Sequence, residues 1–144
     1  MIRNIRHTGI VTRNLEAALA FYRDLLGFRE TRRMEENDPF IAEILGLEGV
    51  HVTTVKMSAP EGGQIEILFY RTHPGETRLR NINDYGLTHI AVTVQDLEAA
   101  YQALSGKGIR FISPPRTNPE KTAKAAFCRD PEGNLLELVE ILER

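Results

Sequence analysis

The chain contains a second, edited copy of itself. Shifted by 82 residues, His7-Thr-Gly-Ile-Val-Thr-Arg-Asn-Leu-Glu-Ala-Ala falls on His89-Ile-Ala-Val-Thr-Val-Gln-Asp-Leu-Glu-Ala-Ala, with Leu15 to Ala18 identical to Leu97 to Ala100. Shifted by 71 residues, Pro60-Glu-Gly-Gly-Gln-Ile-Glu-Ile-Leu falls on Pro131-Glu-Gly-Asn-Leu-Leu-Glu-Leu-Val, and Glu66 lands on Glu137. The change of offset places a surplus of 11 residues inside the first copy. A self-match of this length marks a duplicated supersecondary unit, and two copies are too few for a solenoid. The chain is thus expected to fold as a pseudo-symmetric pair.

Both copies read alike. An alternating apolar stretch opens each (Ile5 to Thr12; Leu87 to Val94), the period of a half-buried strand. Asn14 and Asp96 stand where a side chain can accept the orphan amide hydrogens of a first helical turn. Leu15, Ala18, Leu19, Tyr22 and Leu26 follow at helical spacing, as do Leu97, Ala100, Tyr101 and Leu104. Gly27 and Gly108 close these helices. Second strands are expected over Phe28 to Arg33 and Arg110 to Ile112, third strands over Val50 to Met57 and Ala125 to Arg129. Fourth strands, Gln64 to Tyr70 and Leu135 to Ile141, each follow a Pro-Glu-Gly turn. Each unit is therefore βαβββ. The surplus reads as a short extra helix, with Asp38 as cap, Pro39 at the first position and Gly46 at the end. Residues 113–124 read as a polar loop.

The predicted fold is α+β, built from two pseudo-symmetric βαβββ units. The 144 residues suit one domain, 1–144, with unit one at 1–72, a linker at 73–86 and unit two at 87–144. A formal charge of −2 offers no electrostatic case for nucleic acid or a membrane surface. The single Cys128 excludes an intrachain disulfide and a thiolate zinc cluster, and reads as a small core residue. No apolar run reaches the roughly 18 residues of a membrane span. The N-terminus lacks the apolar core of a signal peptide, so a cytoplasmic setting is expected.

Strand alternation sets His7, Gly9 and Val11 opposite Ile10 and Thr12, and His89, Ala91 and Thr93 opposite Ile90, Val92 and Val94. Glu66 shares a face with Leu68 and Tyr70, and Glu137 opposes Leu136 and Leu138. Each unit thus aims one imidazole and one carboxylate at the same face. Buried carboxylates without a cation are costly, and a divalent metal reverses that cost. His7, Glu66, His89 and Glu137 are the candidate ligands of one divalent ion, and two nitrogens with two carboxylate oxygens suit Zn, Ni, Co, Mn or Fe(II). A lone strand histidine or an edge glutamate is commonly structural; four at repeat-equivalent places are not readily explained that way. His51 and His73 lack counterparts and read as surface or packing residues.

On His7-Thr-Gly-Ile-Val with Leu15 to Phe28, Gln64-Ile-Glu-Ile, Gly86-Leu-Thr-His-Ile-Ala-Val and Asp130-Pro-Glu-Gly-Asn-Leu-Leu-Glu-Leu, the sequence resembles the vicinal oxygen chelate superfamily. That superfamily includes glyoxalase I, methylmalonyl-CoA epimerase, extradiol dioxygenases and the bleomycin and fosfomycin resistance proteins. The resemblance implies that the two pseudo-symmetric βαβββ units form a curved, half-barrel-like sheet around a metal cleft, and places the metal positions on the same four residues. With Glu66 where a dioxygenase keeps a position free, it favours a metal-dependent lyase or isomerase moving a proton through an enediolate. Glu137 or Glu66 is then the base, and Val11, Leu68, Tyr70 and Thr93 line the cleft. Arg116 or Lys124, on the polar loop, is expected to meet an anionic substrate tail. Where bacterial glyoxalase I has a glutathione-contacting Arg and an Asn, this chain has Val11 and Tyr70; where an epimerase has its catalytic Glu, it has about Val52. The alternatives are an Fe(II) extradiol-type dioxygenase and a non-catalytic small-molecule binder. The expected partners are a small-molecule substrate and, by the resemblance, a second copy in a homodimer.

Overall fold

The computed structural model describes residues 1–142, so the expected end of unit two at 144 lies outside the described residues. Contacts divide the chain into Met1–Glu76 and Thr77–Arg144. In unit one, β1 (Thr8–Val11) leads to α1 (Leu15–Leu19), which continues as a π-helical turn over Ala20–Leu25. Then come β2 (Arg29–Glu36), α2 (Pro39–Leu45), β3 (Val52–Ser58) and β4 (Gln64–Tyr70). Unit two contains β5 (His89–Thr93), α3 (Leu97–Gly106), β6 (Arg116–Thr117), β7 (Ala123–Arg129) and β8 (Leu135–Ile141).

The two sheets have one plan. Their orders are β1-β4-β3-β2 and β5-β8-β7-β6. The first pair in each is parallel and the rest antiparallel. The register repeats too: Gly9 lies opposite Glu66, and Ala91 opposite Glu137. Both offsets found in the sequence are thus reproduced as strand pairings.

Local signals act as their chemistry requires. Asn14 accepts from the Ala17 amide, Asp96 from Ala99 and Asp38 from Ile41. Each satisfies a donor that a helix start leaves orphaned. Gly46 takes φ 66°, a left-handed conformation that glycine adopts without a Cβ clash. In unit one, Ile10, Val55 and Ile67 fall in a row and are buried, as are Met57 and Ile65 on the same face. Ala18, Leu19, Phe21 and Tyr22 are buried with them, and α1 packs on β4. In unit two, Leu97 and Leu104 of α3 are buried, as are Leu136, Leu138 and Cys128, and α3 packs on β7 and β8. The sheet face turned away from α1, or from α3, is called the open face below.

Three expectations need correction. The opening strand of unit one covers Thr8–Val11 rather than Ile5 to Thr12, and Ile5 is exposed. The first helix is not α throughout, for Leu26 N–H donates to Phe21 O, five residues back. The second strand of unit two does not form at Arg110 to Ile112. Only a lone bridge joins Phe111 to Cys128, and the ladder resumes at Arg116, inside the stretch expected to be loop. Pro114 and Pro115 explain this, because neither has an N–H to continue a ladder.

α2 also has a consequence for the open face of unit one. Its Ile41 is buried with Val50 and Val52, and Leu68 and Tyr70 pack against that cluster. One end of this face is filled by the chain's own helix.

Candidate metal centre

Parallel pairing of β1 with β4 carries His7, one residue before β1, to the carboxylate of Glu66. His7 Nε2 lies 3.9 Å from Glu66 Oε1. The Glu66 side chain is only 13% exposed although it sits in the middle of a strand. Its other oxygen faces Lys56 Nζ at 3.9 Å, because Lys56 is its cross-strand neighbour on β3. A half-buried carboxylate needs compensating positive charge, and Lys56 supplies part of it.

Unit two repeats the arrangement with different neighbours. His89 Nε2 lies 3.5 Å from Glu137 Oε2. On the far side of the ring, Nδ1 is 3.0 Å from Thr88 Oγ1. That hydrogen bond orients the imidazole so that Nε2 is the nitrogen presented to Glu137. Phe127 packs edge-on against the His89 ring, with centroids 5.2 Å apart. Phe127 stands opposite Glu137 just as Lys56 stands opposite Glu66. The two pairs are therefore equivalent in register and unequal in charge.

The remaining candidates divide by face. Val11 is 55% exposed, and its alternation with buried Ile10 sets it on the open face of unit one. Leu68 and Tyr70 lie on that face but pack against the α2 cluster. Thr93 is exposed on the open face of unit two, opposite Val139. Arg116, paired with Ala125, shares that face. Lys124 does not: it projects from the helix-covered face, 3.5 Å from Glu140 Oε2. The same Glu140 oxygen accepts from the Leu97 amide at 2.8 Å, so Lys124 serves the start of α3. Among the described residues, no three His, Cys, Asp or Glu side chains gather around one point. The potential ligands come as pairs, one per unit.

Strand pairing also reveals groups that sequence reasoning missed. Lys56 and Phe127 could be named only once β3 and β7 were registered on their neighbours. Thr88 carried no signal beyond its adjacency to His89. His51, read as a surface or packing residue, belongs to a polar cluster. Its Nε2 is 2.7 Å from Glu35 Oε2, and Thr53 and Arg71 donate to the same carboxylate. Arg71 first, then Thr53 and His51, hold the Glu35 carboxyl down to about 2.

The Glyoxalase/Bleomycin resistance protein/Dioxygenase superfamily sequence model matches residues 4–138. The chain belongs to that superfamily. An uncharacterized protein of Bacillus subtilis (strain 168), YwkD, is 35% identical over 97% of this chain and 98% of its own length. A Synechocystis protein named "probable lactoylglutathione lyase" is 27% identical over 93% of this chain and 92% of its own. Among solved structures, a glyoxalase family protein from Bacillus cereus has a TM-score of 0.90 at 22% identity, covering 99% of this chain and 97% of that one. In this superfamily's terms, the duplicated βαβββ unit is the fold itself.

Proposed function

We propose that the protein is a metal-dependent lyase or isomerase of the glyoxalase type. His7 and Glu66 from a first unit and His89 and Glu137 from a second would hold one divalent ion, the two units drawn from one chain or from two chains of a homodimer. The observation that carries this reading is the duplicated pair. Each unit alone brings an imidazole Nε2 within 3.9 or 3.5 Å of a carboxylate, at positions equivalent by register.

The donor set fits such a metal. Two neutral imidazole nitrogens and two carboxylates without thiolate suit Zn, Ni, Co, Mn or Fe(II) with positions left for substrate. The contact of Thr88 with His89 Nδ1 already turns His89 Nε2 towards Glu137. A cation bound there would supply Lewis-acid stabilisation to negative charge on adjacent substrate oxygens. The chain's own residues do the rest. Glu137 or Glu66 accepts the proton α to the substrate carbonyl and returns it to the neighbouring carbon. Lys56 Nζ stands 3.9 Å from the other oxygen of Glu66.

The activity in the Synechocystis relative's name, that of a lactoylglutathione lyase, is one instance of this chemistry. Val11 and Tyr70 stand where the resemblance calls for glutathione-contacting groups, which argues for a different thiol or none. The direct test is elemental analysis of protein purified without chelator. Stoichiometric transition metal in the wild type, lost in His7→Ala, supports the reading; metal retained in that variant, or absent from the wild type under metal-replete growth, defeats it. Oxygen uptake with a catechol, dependent on Fe(II), would replace the lyase or isomerase reading with the dioxygenase one.

A further inference from the structure

A cleft of about 280 Å3 lies on the open face of unit two. Ala123, Ala125 and Phe127 of β7 form its floor, Ile82 and Ile112 its apolar walls, and Arg116 its rim. The repeat explains why it is hollow. Ala123, Ala125 and Phe127 correspond in register to Val52, Thr54 and Lys56 of unit one. There, the apolar side chains of α2 cover Val52. Unit two lacks the surplus residues that form α2, and it carries alanine at two of the three floor positions. An apolar surface that unit one covers with its own chain is left uncovered in unit two.

The polar groups at the rim decide what fits. Ser113 Oγ donates to Pro114 O. The Asn118 side chain is engaged at both ends, by Thr122 and by the amides of Thr122 and Ala123. The Arg116 guanidinium makes no hydrogen bond or ion pair among the described residues. An uncommitted guanidinium beside an apolar hollow matches an anion attached to an apolar body. One cation matches one negative charge, hence a carboxylate rather than a phosphate dianion. Phe127 both lines the cleft and packs on His89, so the cleft lies one ring from the His89–Glu137 pair.

We propose that this cleft binds a small organic acid with a short alkyl chain or a single ring, its carboxylate on Arg116 and its other end directed towards His89 and Glu137. The direction of the far end rests on the proposed function; the acid subsite does not. The test titrates hexanoate, hexanamide and hexyl phosphate into the metal-free full-length protein, followed by amide NMR shifts and calorimetry. Hexanoate is expected to bind at least about tenfold tighter than hexanamide, the difference a charge-assisted guanidinium contact provides. Arg116→Gln should erase that preference and leave the amide's affinity unchanged. Ala125→Leu should abolish binding of both while leaving the unfolding transition in place.

Equal binding of acid and amide, a preference that survives Arg116→Gln, shifts outside the cleft, or tighter binding of the phosphate would each overturn the assignment. His89→Ala separates the two ideas. It should lose metal and keep hexanoate. Acid binding in a protein that takes up no metal would leave the subsite standing and remove the lyase or isomerase reading; metal uptake without acid binding would do the reverse.

Discussion

Glu35 shows how much a single side chain can gather. From β2 it joins Thr53 of β3, His51 just before β3 and Arg71 just after β4, and Arg71 also lies over the Phe69 ring at 5.4 Å. Its carboxyl titrates near 2 in the folded chain against an ordinary value of 4.5. The stabilisation is therefore complete above about pH 4.5 and fades as the pH falls towards 2. The side chain is 48% exposed, so solvent screening reduces the effect to about 1 kcal/mol. Glu35→Gln should lower stability by that amount at pH 7, and urea titrations at decreasing pH should show the gap to the wild type narrowing below 4.5. Cys128 behaves oppositely. Burial first, and then the nearby Asp130, push its thiol up to about 11. A thiol so rarely ionised is a poor nucleophile. Ellman's reagent should leave it unmodified in the native protein and react promptly in denaturant; fast modification of the native state would contradict its packing.

At the scale of elements, the sequence signals that held are those written in local chemistry. Asp38, Pro39 and Gly46 bound α2 because a cap, a fixed φ and a left-handed residue act within a few residues of themselves. Asp38→Ala should cost about 1 kcal/mol through the lost cap. Ile41→Ala should cost about 2–4 kcal/mol, because Ile41 is 7% exposed and anchors the cluster with Val50 and Val52. Equilibrium urea unfolding distinguishes the two sizes. The π-helical turn and the broken edge strand were harder to see. Both arise where a local preference meets a partner elsewhere in the chain: the helix must bury Phe21 and Tyr22, and the edge must rejoin β7 beyond two prolines. Glu140 is a case in point, for a strand residue 43 positions away completes the start of α3.

At the scale of the whole chain, the duplication makes a sharp prediction about function. If each unit supplies half of one metal site, His7→Ala and His89→Ala should each remove most of the bound metal, and the double variant should add little. Inductively coupled plasma mass spectrometry on the three variants measures this. Two independent half-sites would instead show additive, partial losses. The four ligand candidates could be picked out from two offsets because a duplicated register forces equivalent residues to equivalent places. The cleft was not legible, because it exists through an absence, the helix that unit one has and unit two lacks.

The amino-acid order by itself settled the repeat, the βαβββ plan, the helix starts and the pairing of one histidine with one glutamate in each unit. All of these follow from periodicity and short-range hydrogen bonding, which a linear string records. Only the folded chain decided that Lys56 attends Glu66 while Phe127 and Thr88 hold His89, that Lys124 turns to Glu140, and that an Arg116 guanidinium with no partner among the described residues stands beside an apolar hollow. Those are outcomes of strand register and of which face a helix covers, and neighbours of that kind meet in space without being near in sequence.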